Sequence, residues 1–333
     1  MPIPDISFGL VCVLGLILAA EFVNGWTDAP NAIATVVSTR SLSPRQAVIL
    51  AAILNLAGVL SGTAVASTIG KGIIDPKLVD LTTVGAAMCG IVIWSTVAAR
   101  WGIPTSESHA LVAGLAGAGM ATAGPDVLVL DGWIKVGKGL LFSTALGAAG
   151  GFLVMLAIYW IFRNARRGPA KKNFRFLQIL SSAFMAFGHG SNDGQKFMGA
   201  FTLALVLGGV LPEFHIPLWV ILLCAAVMAL GTLTGGWKIM QTLGMKVTKL
   251  ETHQGFAAEL AAASTIEIAS RLGIPLSTTH TISTSIVGVG AARGASAVRW
   301  GVTLNLVVAW ILTFPICGAI SYAAVKIVRA VAG

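Results

Sequence analysis

The chain has 333 residues, 56% hydrophobic and 11% charged, with 22 Lys and Arg against 13 Asp and Glu and a formal charge of +9; its mean hydropathy is +0.86. An ordinary soluble domain carries about 25% charged residues, so this chain cannot cover itself with polar side chains and belongs in a bilayer. The basic residues sit in loops between apolar runs, the pattern of a topology signal, which argues against nucleic acid as a partner.

A spanning helix takes about 20 apolar residues, which leaves room for roughly ten spans joined by short loops. The leader Met1–Ser7 has no Lys or Arg. Lacking the basic region of a cleavable signal, the first apolar run, Ile6–Phe22, is expected to remain as a span. Glu21–Thr35, EFVNGWTDAPNAIAT, follows, with Asn24, Gly25, Thr27, Asp28, Pro30 and Asn31 inside eight residues. Gly25 and Pro30 predict a broken helix here, through backbone freedom and a missing N–H. A charge and an interrupted backbone at membrane depth must face protein or a water-filled cavity.

The runs Ala47–Ile69 and Leu81–Ala99 lead to Arg100–His109, RWGIPTSESH. Its proline stops the incoming helix and suits the start of the next. Thr105, Ser106 and Ser108 then stand at a helix start, where unpaired N–H groups and the dipole favour an anion. Plain N-capping explains a single copy as well. Ala110–Ala123 is too short to span alone, and its Gly114, Gly117 and Gly119 are read as close-packing positions. Lys138–Phe162 completes the first half. Arg163–Phe176 holds six Lys and Arg and no acid. It reads as a solvated connector held on the cytoplasmic side, with a lipid- or partner-binding patch as the lesser reading.

After Leu177–Phe187 the first motif returns in Phe187–Met198, FGHGSNDGQKFM, which sets His189, Gly190, Asp193 and Lys196 against Asn24, Gly25, Asp28 and Asn31. Phe197–Leu211, Leu218–Gly236 and Phe256–Ala269 precede the second return, Arg271–His280, RLGIPLSTTH, identical to the earlier copy at six of ten positions. Its hydroxyls are Ser277, Thr278 and Thr279. Thr281–Ala292 and Trp300–Val328 close the chain. This order signals an internal duplication. The expected fold is an all-α polytopic membrane protein with two inverted-topology repeats, residues 1–162 and 177–333, flanking a basic cytoplasmic linker at 163–176. With the N-terminus outside, five crossings per half place Lys326 and Arg329 outside. Broken and re-entrant helices from both repeats then converge near the midplane, where such folds hold substrate. Cys12, Cys89, Cys224 and Cys317 are read as small core residues with no metal or disulfide spacing. Trp26, Trp94, Trp101, Trp133, Trp160, Trp219 and Trp300 mostly lie near segment ends, as interfacial anchors do.

The stretches Asn24–Pro44 and Gly188–Lys196, joined by the two GIPxSxxH elements, closely resemble the inorganic phosphate transporter (PiT) family, over essentially the whole chain. The resemblance implies a phosphate permease of inverted repeats in the cell membrane, driven by a cation gradient and forming a homodimer. The long central loop of the animal members, which serve as retroviral receptors, is replaced here by the short linker. Sodium-using members commonly carry Asn where this chain has Lys196. Lys supplies charge but no ligand lone pair, so beside Asp193 it would take the place of a bound sodium. That weakens a fully sodium-driven reading and favours protons, or phosphate carried as a neutral metal complex.

On this reading Thr105, Ser106, Ser108, Ser277, Thr278 and Thr279, with adjacent amides, donate to phosphate. Asp28 and Asp193 form the cation side and are the metal ligands if the ion is sodium. A lone buried carboxylate would repel phosphate until a cation joins it. Asn24 and Asn31 supply carbonyl oxygens or pin the turn, and Glu259 is a further cation ligand or proton carrier. Glu107 lies inside the anion motif and would need a proton or a cation there; with Lys196, Asn192 and Gln195 it is a further candidate of the site. Glu21 and Glu267 face a water-filled route or end a helix. His109 and His280 are expected to pin helices through ring hydrogen bonds rather than hold zinc, and His189 to titrate. No organic cofactor is implied; the coupling ion is sodium or a proton. A sulfate permease of the same fold is the alternative, since sulfate shares phosphate's shape but donates no hydrogen bond. A channel needs no paired Asp sites. An intramembrane enzyme using Ser106 and His109 lacks an orienting acid and oxyanion donors.

Overall fold

Apolar chain in lipid has one simple way to satisfy its backbone, the α-helix. The computed structural model, which describes residues 7–332, follows that rule throughout. The leader residues Met1–Ile6, with the first residue of the expected Ile6–Phe22 run, lie outside the described residues. The first half runs α1 (Phe8–Ser38), α2 (Pro44–Val59), α3 (Ala64–Gly72), α4 (Leu81–Trp101), α5 (Glu107–Ala123), a 3₁₀ turn (Pro125–Val127) and α6 (Leu130–Ile161). The second runs α7 (Arg167–His189), a π-helical segment (Gly190–Gly194), α8 (Gln195–Leu207), α9 (Leu218–Thr234), α10 (Trp237–Gln241), a second π segment (Thr242–Lys246), α11 (Thr252–Arg271), α12 (Thr278–Arg293), a 3₁₀ turn (Ala295–Ala297) and α13 (Trp300–Ala332). Residues 163–176, read as a connector, are helical from Arg167 onward. Among the described residues the β-structure is one isolated bridge, Ile74 with Leu128.

Among the described residues four helices, α1, α4, α6 and α13, are long and apolar enough to cross a membrane. The pairs α2–α3, bent by 69°, and α9–α10 with its π extension, bent by 63°, pass the same test as units. The outer faces of the long helices carry apolar side chains such as Ile93, Leu141, Leu304 and Ile311, while Asn24, Asp28, Asp193 and Lys196 are buried. This inside-out distribution is what lipid requires. Cys12 is on that exposed face, which corrects the reading of all four cysteines as core; Cys224 and Cys317 are buried, and all four thiols are free.

The break expected at Gly25 and Pro30 does not form. Helix α1 runs unbroken for 31 residues with Pro30 inside it. Proline removes the N–H that would bond to the carbonyl four residues earlier, and that carbonyl, Trp26 O, accepts instead from the Gly236 N–H at 3.3 Å. Gly25 serves packing: a Cβ there would lie 2.3 Å from Met228 O of α9. In the second copy the irregularity is the π segment, a form that favours functional positions.

The duplicated GIP elements, by contrast, are true breaks and are alike. Gly102 (φ +69°) and Gly273 (φ +65°) take the left-handed conformation that ends a helix. Ile103 N–H then bonds Ala98 O, and Ile274 N–H bonds Ala269 O. Equivalent packings recur in the two halves: α5 on α13 and α12 on α6, α1 on α9 and α7 on α2, α4 on α1 and α11 on α7. Small residues permit these close approaches. At Gly117 of α5 a Cβ would sit 2.2 Å from Gly318 O of α13. Gly117→Ala is therefore expected to cost about 1–3 kcal/mol, read as a lower midpoint of thermal unfolding in detergent; an unchanged midpoint would show that the α5–α13 contact yields freely.

Candidate functional site

Ser106 and Ser277 cap α5 and α12, their Oγ atoms accepting from the His109 and His280 N–H groups at 3.3 and 3.1 Å. The two helix starts meet, because Ser108 Oγ donates to Leu276 O at 2.7 Å, just before the cap of α12. Helix α1 crosses this junction with its polar face inward. Asn31 Nδ2 donates to Thr279 Oγ1 at 2.9 Å and to Thr278 Oγ1 at 3.3 Å. Since that amide nitrogen only donates, each threonine has its single proton free for another acceptor. Thr278 gives it to Asp193 Oδ2 at 3.0 Å, and Thr279 to the Asp28 carboxylate at 3.2 and 3.4 Å. The hydroxyls read as anion donors are thus turned onto the two acids read as the cation side.

Asp28, Asp193 and His189 present ligand atoms within 4.8 Å of one another, all buried. His189 Nδ1 lies 3.1 Å from Asn55 Oδ1, and Asn55 Nδ2 donates to Thr232 Oγ1 at 2.9 Å, whose proton goes to Met228 O at 3.0 Å. This relay makes Nδ1 the donor and leaves the Nε2 lone pair 3.6 Å from Asp193 Oδ2. Two carboxylates and an imidazole nitrogen are a donor set for a cation, sodium through the oxygens or a borderline divalent metal through all three. Lys196 closes the other side of Asp193. Its ammonium bonds Asp193 Oδ1 at 2.5 Å, Leu276 O at 2.9 Å and Ser108 Oγ, which uses all three of its protons. The polar cluster divides the apolar interior, with Ile17 and Ala20 of α1 in one hydrophobic cluster and Ala32 and Ile33 in the other.

The other sequence candidates lie around this centre or apart from it. Thr105 is buried, at 2% exposure. Glu107 accepts from Thr27 at 3.0 Å and from Ser95 at 2.7 Å. Glu259 does not join the Asp cluster: it accepts from Thr35 and Ser181, and Thr35 is two helical turns beyond Asp28. Asn192 is directed at Ser270 (2.9 Å) and Ile274 O (3.3 Å). Gln195 accepts from the Val65 N–H at 3.0 Å, satisfying a free amide in the first turn of α3. Glu267 pairs with Arg271 at 2.8 Å and accepts from Ser191 at 3.0 Å. Asn24 and Glu21 are buried with no hydrogen-bond partner for their side chains.

The expected ring hydrogen bonds of His109 and His280 are replaced by stacking. The rings meet edge to face at 4.4 Å, and His280 stacks on Trp310 at 3.8 Å. Sequence reasoning passed over Thr35, Ser95 and Ser181, and named Thr27 only as part of the motif, with no partner. For Thr35 a signal existed: Glu21, Asn24, Asp28, Asn31 and Thr35 follow a 3-4-3-4 spacing, which places them on one stripe of a helix.

A model of the phosphate transporter family matches residues 24–321. A protein of Rhizobium meliloti named "probable low-affinity inorganic phosphate transporter" is 45% identical over 322 residues, 95% of this chain and 96% of that protein. One of the same name from Bacillus subtilis is 40% identical over 311 residues, 92% and 93% of the two chains. A solved structure described as the sodium-dependent phosphate transporter superposes with a TM-score of 0.86 at 26% identity, covering 97% of this chain and 100% of that one.

Proposed function

Because the chain belongs to the phosphate transporter family, a group of transporters rather than enzymes, we propose that it carries inorganic phosphate across the cell membrane in symport with a cation. The observation that carries this reading is that Thr278 and Thr279 donate to Asp193 and Asp28. A hydroxyl has one proton to give. While Asp193 and Asp28 hold those protons, the α12 start cannot offer them to an anion, and the two carboxylates repel one. A cation on the carboxylates removes both obstacles. The hydroxyls turn to the anion at a helix start whose amides and dipole already favour it, and each ion lowers the cost of binding the other.

The equivalent element order and packing of the two halves support inverted repeats that expose this centre to either side in turn. Lys196 supports a division of labour. Its ammonium holds a carboxylate, a carbonyl and a hydroxyl oxygen, the set that a sodium would take, so one position is permanently filled. The exchangeable cation, sodium or proton, then belongs to Asp28. The nearby His189 nitrogen favours a second reading, in which the cation enters as a divalent metal already bound to phosphate.

Proteoliposomes given labelled phosphate or sulfate under a sodium gradient and a pH gradient, imposed separately, test the proposal. Phosphate uptake should depend on one of the gradients. Sulfate should be carried roughly 100-fold less well or worse, because it has no proton for a buried carboxylate acceptor. Equal uptake of both anions would favour the sulfate alternative, and gradient-independent flux a channel.

A further inference from the structure

Every other acid at this depth of the protein has a partner. Asp28 has Thr279, Asp193 has Lys196 and Thr278, Glu107 has Thr27 and Ser95, and Glu259 has Thr35 and Ser181. Glu21 is the exception. It is fully buried, neither carboxylate oxygen makes a well-formed hydrogen bond, and the polar side chain beside it is that of Asn24. Asn24, one turn along the same face, is equally buried, and apart from Glu21 neither its amide oxygen nor its amide nitrogen has a polar side chain to bond. An isolated ionised carboxylate in such a place is costly, and so is an unpaired amide. Two such groups side by side point to something that binds both.

We propose that Glu21 and Asn24 form a second station for the coupling cation, a hard, sodium-sized ion held by the carboxylate and the amide carbonyl oxygen. The proposal rests on the cation-symport reading above and adds a site to it. Oxygen donors of these two kinds suit a hard cation. The spacing Glu21, Asn24, Asp28 keeps the station on the stripe of α1 that faces the centre, about 10 Å from Asp28 along the helix. The charged groups near enough to act on Glu21 are Asp193 and Lys196. Lys196 has already committed its three protons to other atoms, so among the described residues no cationic side chain is bonded to Glu21. Where Lys196 closes the position beside Asp193, Glu21 and Asn24 keep another open on the same file of polar groups. A cation leaving Asp28 therefore passes to a second set of oxygen ligands instead of an apolar wall.

The test is sodium binding and phosphate uptake by purified full-length protein carrying Glu21→Gln, which keeps the side chain's shape and removes the charge. Radioactive sodium bound per chain should fall by about one ion, and the sodium concentration for half-maximal phosphate uptake should rise about tenfold or more. Unchanged sodium stoichiometry and unchanged sodium dependence would overturn the station. If Glu21→Gln fails to fold, Glu21→Asp decides: the shorter carboxylate should retain the bound ion while raising the sodium requirement, and an unaltered requirement refutes the proposal. If the wild type takes up phosphate on a pH gradient and binds no sodium, the station falls while symport stands. If neither gradient drives uptake, the symport reading itself fails.

Discussion

Asp28→Asn should reduce cation-driven phosphate uptake by roughly two orders of magnitude, the upper range of an ordinary coupling free energy, while the protein stays folded. The folded state survives because asparagine keeps an oxygen to accept from Thr279, which donates to the Asp28 carboxylate at 3.2 Å in the wild type. Its new amide protons face Asp193 and His189, both acceptors within 4.8 Å of the present carboxylate. What the substitution removes is the negative charge that makes phosphate entry depend on a cation. Phosphate binding by the variant should therefore no longer respond to the coupling cation, although transport is lost. Initial rates in proteoliposomes, phosphate binding with and without cation, and a melting curve separate these effects. Wild-type uptake under the same gradient would remove Asp28 from the coupling mechanism.

Replacing Lys196 with asparagine should make the protein depend on sodium for both stability and transport. The ammonium is the cation paired with Asp193, at 2.5 Å and fully buried. Deleting one member of a buried pair costs about 3–5 kcal/mol, because the remaining charge is uncompensated. In sodium-free buffer the variant should melt well below the wild type. Added sodium should restore much of the loss by mass action, since it binds the folded form alone. Asp193, Ser108 and Leu276 O would then serve as ligands in place of hydrogen-bond acceptors, with the asparagine oxygen alongside. Phosphate uptake should acquire a steeper dependence on sodium. Thermal melts in sodium and in choline chloride, together with uptake under each gradient, measure this. Identical melting and an identical ion requirement would mean that the lysine does not stand where a sodium would.

The sequence by itself determined the bilayer environment, the all-helical fold, the two GIP breaks and the hydroxyl-bearing helix starts behind them. These features are local. Apolar helices satisfy their own backbones, and the left-handed Gly102 and Gly273 and the caps Ser106 and Ser277 act within a few residues of themselves. The tertiary structure alone decided where the buried polar groups turn. Pro30 leaves α1 intact because Gly236, from the other half, takes up the orphaned Trp26 carbonyl. Thr278 and Thr279 are committed to Asp193 and Asp28, Lys196 is committed to Ser108 and Leu276, Glu259 is drawn off to Ser181, and Glu21 is left beside Asn24 alone. A buried polar side chain must find its partner wherever packing puts one, and in this chain packing brings those partners from helices far apart in sequence.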